Sequence, residues 1–177
     1  MQSPMASLVL AIFFSASAIA GPPSVQPDDV PDVLVREKRT VLPRVAGAAE
    51  DYSRNCQGCH GHLGVSVAEV PALRSRVGYF THTLEGRAYL VQVPNVLQSP
   101  LSDARLAGLL NWLLDEYSRE QLPPDFQPYT ADEIATLRST RIESVITRRR
   151  EVVDALVRAG VVPDASALSF SFAPGHY

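Results

Sequence analysis

Residues 55–61 read NCQGCHG and hold both cysteines of a 177-residue chain. Cys56 and Cys59 are separated by two residues, and His60 follows directly. This order admits three chemistries: a redox disulfide, part of a metal site, or covalent attachment of a prosthetic group. The surroundings of the motif weigh them against one another.

A disulfide oxidoreductase places Cys-x-x-Cys after a strand in a βαβ setting. Here a helix-like stretch precedes it, RVAGAAEDYSRN at 44–55, with Val45, Ala48, Ala49 and Tyr52 at spacings of three and four. A structural zinc site takes four ligands. Beyond Cys56, Cys59 and His60, only His62, His82 and His176 remain among the best donors, and His62 is too near for a usual finger spacing. Covalent haem attachment needs nothing more than the motif. The two thiols add to the two vinyl groups of haem, and the histidine that follows is carried to the iron as an axial ligand. Haem c is the favoured reading; disulfide redox and zinc stand as the alternatives.

The start of the chain fits that chemistry. Leu8 to Ala20, LVLAIFFSASAIA, is an uncharged apolar run ending in the small-x-small pattern Ala18-Ile19-Ala20. It reads as a signal peptide over 1–20, cleaved after Ala20, although MQSPMAS carries no Lys or Arg. The run is too short for a comfortable membrane span, so a membrane association is expected only if the signal stays uncleaved. Cleavage directs the protein to the periplasm and removes Met1 and Met5, the only methionines.

The composition of the whole chain, 46% hydrophobic and 20% charged, is ordinary for a soluble globular protein. A formal charge of −3 gives no electrostatic footing for a nucleic-acid partner. Residues 21–43 are Pro-rich and read as an extended leader. Residues 61–83 read mostly as loop, and 84–92 as a short helix stopped by Pro94. Residues 102–118 give the clearest helix. Ser102 is its N-cap, Leu101 and Leu106 form a staple, and Leu106, Leu109, Leu110, Leu113 and Tyr117 line one face, widened by Trp112 and Leu114. Thr130 and Glu133 make a capping box for a further helix. A stripe from Ile142 to Val157, with Gly160 as a stop, makes another. Arg148-Arg149-Arg150 within it reads as a solvated face. No repeat and no convincing strand pattern is present, so the fold class is all-α.

Over 44–118 the chain resembles the class I cytochrome c family. An aromatic, Tyr52, stands four residues before the first cysteine, with the small residues Gly47 and Ala48 a turn earlier for a helix crossing. Pro71, eleven residues past His60, heads the Pro-x-Leu triplet Pro71-Ala72-Leu73. Trp112, with Leu109 a turn before it, suits the aromatic of the C-terminal helix. The resemblance implies a haem domain over 44–118, with one covalent haem c on Cys56 and Cys59. It implies His60 as axial iron ligand, its Nδ1 bonded to the Pro71 carbonyl. Residues 119–177 then form a C-terminal extension with one or two helices. Arg74, Arg76 and Arg87 read as surface residues in preference to haem-propionate partners.

One departure matters. The family's sixth ligand is a methionine in the loop before the C-terminal helix, and VQVPNVLQSP at 91–100 has no methionine, histidine or lysine. His82 is the candidate second axial ligand; His62 lies too near His60, and His176 is on the tail. The other possibility is a five-coordinate iron, or one closed by water or Asn95. The leading expectation is an electron-transfer protein, not an enzyme, passing single electrons to or from a dehydrogenase or an oxidase. The alternatives are a haem protein that binds NO, CO or peroxide, and a haem subunit of a larger periplasmic oxidoreductase.

Overall fold

Helix α5, Asp103–Ser118, buries more apolar side chains than any other described element. The computed structural model describes residues 45–65 and 70–168. The predicted signal at 1–20, the leader at 21–43 and the last residues, 169–177, lie outside that set. Among the described residues every regular element is helical and no strand is present, as the sequence predicts. They belong to one compact unit, Lys38–Tyr177, which includes the described part of the extension. No helix among them is long and apolar enough to cross a membrane.

The elements follow the local signals. Helix α1, Ala48–Asn55, leaves Gly47 in the left-handed region at φ 84°. Helix α2, Gln57–His60, is a single turn that contains Cys59 and His60. The stretch read as loop contains a 3₁₀ helix, Val77–His82, which the 3.6-residue pattern does not reveal because its side chains repeat every three. Thr83 caps α3, Leu84–Gln92, and Pro94 opens a further turn, α4, Pro94–Leu97. Pro94 therefore starts a helix as well as ending one, since an N1 proline loses no helical hydrogen bond. Ser102 Oγ accepts from Arg105 N at 3.4 Å at the start of α5. Thr130 Oγ1 accepts from Glu133 N at 3.1 Å at the start of α6, Ala131–Arg138. Ser144 caps α7, Val145–Arg158, and Gly160 follows at φ 69°.

Two apolar clusters result. In the first, α1 and α6 pack against α5. Tyr52, Leu106, Leu109, Leu110, Leu113 and Leu114 are buried in it, with Phe126, Tyr129 and Ile134 from the extension. Each large aliphatic side chain taken out of water there is worth about 1.5–3 kcal/mol. The residues leading into α1 approach α5 closely at Gly108, where a Cβ would stand 2.7 Å from Val45 Cγ2. A two-pronged ion pair, Arg105 Nε and Nη2 to Asp51 at 3.1 and 2.5 Å, fixes the same crossing. The second cluster gathers Phe80 and Tyr89 with Val152, Val153, Leu156, Val162 and Leu168. It seats α7 on the 3₁₀ helix Val77–His82 and on α3.

Two arginines depart from their expected surface roles. Arg87, 11% exposed, makes a fork to Glu133 at 2.9 and 2.8 Å, donates to Gln127 O at 2.8 Å, and lies over the Tyr129 ring. Arg149 leaves the solvated face expected of its run. It lies over the Phe80 ring at 4.9 Å and donates to Leu168 O at 2.7 Å. Both planar guanidinium groups have found aromatic faces together with oxygen acceptors, a combination lysine matches poorly.

Candidate functional site

Cys56 is the junction between α1 and α2, capping the end of one and the start of the other. Cys56 N donates to Tyr52 O at 2.9 Å, and His60 N to Cys56 O at 3.0 Å. One helical turn therefore presents Cys56 and Cys59 three residues apart, near each other on its surface. Cys56 is half-buried, Cys59 is exposed, and the two thiols are unbridged.

Behind the turn, residues 61–64 fold back and bind Leu73 and Arg74. Tyr52 Oη donates to Gly61 O at 2.7 Å, and Tyr117 Oη to His62 O at 3.1 Å. Gly64 O accepts from Leu73 N at 2.8 Å and Arg74 N at 2.9 Å, and Arg74 Nε donates to Leu63 O at 2.8 Å. Gly64 is needed there twice over: its φ is 68°, and a Cβ would stand 3.0 Å from the Tyr117 ring. These straps deliver Pro71 to the histidine. The Pro71 carbonyl accepts from His60 Nδ1 at 3.0 Å, the partner that the family resemblance implies.

That contact fixes chemistry as well as position. A carbonyl only accepts, so Nδ1 carries the proton and Nε2 keeps its lone pair. Burial lowers the His60 pKa from its ordinary value, against the opposing pull of the Pro71 bond, which favours a neutral imidazole. A neutral ring with one nitrogen tied to a carbonyl is what a metal-binding histidine needs.

Cys56 is not an activated thiol. Burial, with Asp51 and Cys59 adding to it, pushes the Cys56 thiol up to about 11. Disulfide exchange needs a thiolate at neutral pH, and Cys56 is held protonated. Zinc finds no support either: among the described residues no group of three or more His, Cys, Asp or Glu is gathered to hold a metal ion.

A haem fits these residues. The donor set is two thiols on one turn and a neutral imidazole beside them. Cys56, Leu73, Val96 and Leu101 are among the half-buried side chains packed against the first core cluster. Cys56 and Leu73 come from the attachment side; Val96 and Leu101 come from the segment before α5. Half-buried apolar side chains of this kind stand to gain further burial against a large apolar ring.

His82 has a different partner within the protein. It ends the 3₁₀ helix Val77–His82, and its Nε2 donates to Gln121 O at 2.9 Å. Gly78 N donates to Ser118 Oγ at 2.9 Å and Ser75 N to Tyr117 O at 2.7 Å, so this whole segment is tied to the C-terminal end of α5. Tyr117 also holds His62, so the attachment loop is tied to that end as well. The segment 93–101 leads into the opposite end. His82 keeps a lone pair on Nδ1 only. His62 and Asn95 are exposed, and His176 lies outside the described residues.

Sequence reasoning missed Asn111 and Arg138. Asn111 Nδ2 donates to Tyr129 O at 3.0 Å, and its Oδ1 accepts from Tyr129 N at 2.8 Å, which buttons the extension to α5. Arg138 donates to Ser99 O, Leu101 O and Asp103 Oδ1 at 2.7, 2.9 and 2.7 Å. Most of these partners are backbone atoms, which leave no side-chain pattern to read. An asparagine amid the apolar stripe of α5 was the one signal in the sequence.

No protein-family model matches the chain, and no curated protein and no solved structure matches it.

Proposed function

We propose that this chain is an exported electron-transfer protein of class I cytochrome c type, carrying one covalent haem c. The observation that carries the proposal is the 3.0 Å bond from His60 Nδ1 to the Pro71 carbonyl. Its two partners lie eleven residues apart and are brought together by straps at Gly64 and Tyr117. The crossing of α1 with α5, with Tyr52 against Trp112 and Tyr117 at ring separations of 5.6 and 5.2 Å, supports the same reading of the fold.

In this proposal Cys56 and Cys59 form the thioethers, and His60 Nε2 binds the iron. The bound haem supplies a one-electron couple. The protein supplies rigidity: the Pro71 carbonyl fixes the ring plane and raises the basicity of Nε2. The leucines of α5 and the Tyr52 ring exclude water from one side of the site. Cys59, exposed beside the half-exposed Leu63 and Val65, marks the edge where a dehydrogenase or an oxidase would approach.

A second reading concerns the other side of the iron, where NO or CO would bind. The engagement of His82 Nε2 with Gln121 O favours it, because the candidate sixth ligand already has a partner. Reduction under CO, followed by absorption, separates the two. A low-spin protein that cycles reversibly and ignores CO is the electron carrier with a filled sixth position. Avid CO binding to high-spin iron makes it a ligand-binding haem protein.

A further inference from the structure

We propose that Trp112 is a redox-active residue. When a hydroperoxide oxidises the haem attached beside Tyr52, Trp112 gives up one electron through the Tyr52 ring and so spares the haem from damage. The inference rests on the haem reading above, in the form that leaves the iron open to a small molecule.

Three aromatic rings from α1 and α5 meet in one group. The Tyr52 centroid lies 5.6 Å from that of Trp112 and 5.2 Å from that of Tyr117, and Trp112 and Tyr117 are 5.6 Å apart. These are the separations of aromatic rings in contact. The attachment turn adjoins them directly. Cys56 N donates to Tyr52 O at 2.9 Å, and Cys56 packs against the apolar cluster that contains Tyr52 and Tyr117. Tyr52 Oη donates to Gly61 O and Tyr117 Oη to His62 O, the two carbonyls that follow His60. An electron leaving Trp112 therefore has a short path through Tyr52 to the residue that anchors the haem.

Of the three rings, Trp112 is the one fitted to stay oxidised. A phenol that loses an electron expels its proton, and the carbonyls that hold Tyr52 and Tyr117 accept a hydrogen bond but take up no proton. Burial also raises the pKa of both phenols. The Arg74 guanidinium lies 5.2 Å from the Tyr117 centroid, and a cation over a ring opposes removal of an electron from it. Trp112 is half-buried, so water can take the indole proton. It is the only tryptophan of the chain, and loss of the predicted signal leaves no methionine sulfur to be oxidised in its place. A hydroperoxide takes up two electrons and two protons to become an alcohol and water. Ferrous haem supplies one electron. Trp112 supplies the other together with its indole proton, and solvent supplies the second proton. Ferric haem and a neutral tryptophan radical remain; an electron from a redox partner and a proton from solvent restore the indole.

The test mixes the reduced mature protein, under argon, with one equivalent of tert-butyl hydroperoxide. Two readouts are taken: EPR of freeze-quenched samples, and the decay of haem absorption. We expect one organic radical, its signal narrowed when the protein is grown on tryptophan deuterated in the indole ring. Trp112→Phe keeps an aromatic ring in the cluster and should leave the haem spectrum before mixing unchanged. After mixing, the tryptophan signal should be gone and the haem should bleach several-fold faster than in the parent. Tyr117→Phe should keep the tryptophan signal. A parent that does not react with the hydroperoxide, or a radical that ignores the label, overturns the proposal. So does equal bleaching in the parent and Trp112→Phe. A parent without haem absorption refutes the haem reading itself, a result seen before any hydroperoxide is added.

Discussion

The carbonyl of Pro71 and Nδ1 of His60 stand 3.0 Å apart, although ten residues separate them in the chain. Gly64 holds that distance, by accepting from both Leu73 N and Arg74 N in a conformation that an L side chain resists. Gly64→Ala adds left-handed strain and presses on Tyr117, costing about 2 kcal/mol of stability. It also slackens the Pro71 contact. A weaker bond to Nδ1 makes the imidazole a poorer donor to oxidised iron, so the reduction potential rises, by about 60 mV for one decade in relative affinity. Voltammetry and thermal melting of the one variant check both effects.

His82→Ala should leave the spin state of the iron unchanged. Its effect should appear in stability, with about 1 kcal/mol lost from the bond to Gln121 O. Absorption and EPR spectra decide the matter: a switch from low to high spin on this substitution would make His82 the second axial ligand.

Gly86 has no room for a methyl group, since a Cβ there would fall on the Phe80 carbonyl. That atom belongs to the backbone of the 3₁₀ helix packed under α3, so relief requires moving both elements. Gly86→Ala should cost about 3 kcal/mol, at the upper end of overpacking penalties. Denaturant unfolding measures it, and a loss under about 1 kcal/mol would mean the two elements shift freely.

Tyr129 gives the fold an alkaline weakness. Burial raises its pKa well above the ordinary tyrosine value, partly offset by Arg87. A raised folded pKa means that the native state holds the proton more tightly than the unfolded chain does. Its contribution is therefore complete below the unfolded pKa, about 10, and is lost as pH climbs beyond it. Tyr129→Phe should flatten that alkaline decline. At neutral pH it should cost about 1 kcal/mol for the bond to Arg87 O. Unfolding midpoints from pH 8 to 11 would reveal it.

The sequence and the fold agree where the signal is local. The Ser102 and Thr130 caps, the apolar face of α5 and the Gly160 stop are written in a few adjacent residues, and each is present. The contact of His60 with Pro71 is expected from the family resemblance alone, through the Pro-x-Leu triplet at Pro71. What escaped notice depends on distant partners. The 3₁₀ helix Val77–His82 is stabilised by Ser118 and by α7, and its own sequence looks like a loop. Arg87 and Arg149 look like surface charges until the aromatic rings beneath them come from elsewhere in the chain. The clasp of Arg138 on carbonyls some thirty-seven to thirty-nine residues away has no sequence signature at all.

The central claim is that Cys56, Cys59 and His60 hold a covalent haem. It is tested most directly by the intact mass and pyridine haemochrome spectrum of the mature protein after denaturation and acid–acetone extraction. The account predicts one haem that survives extraction, with the spectrum of two thioether links, and its loss from a Cys56→Ala, Cys59→Ala double variant. A mature parent protein that carries no haem, or gives it up to acid–acetone, would contradict it.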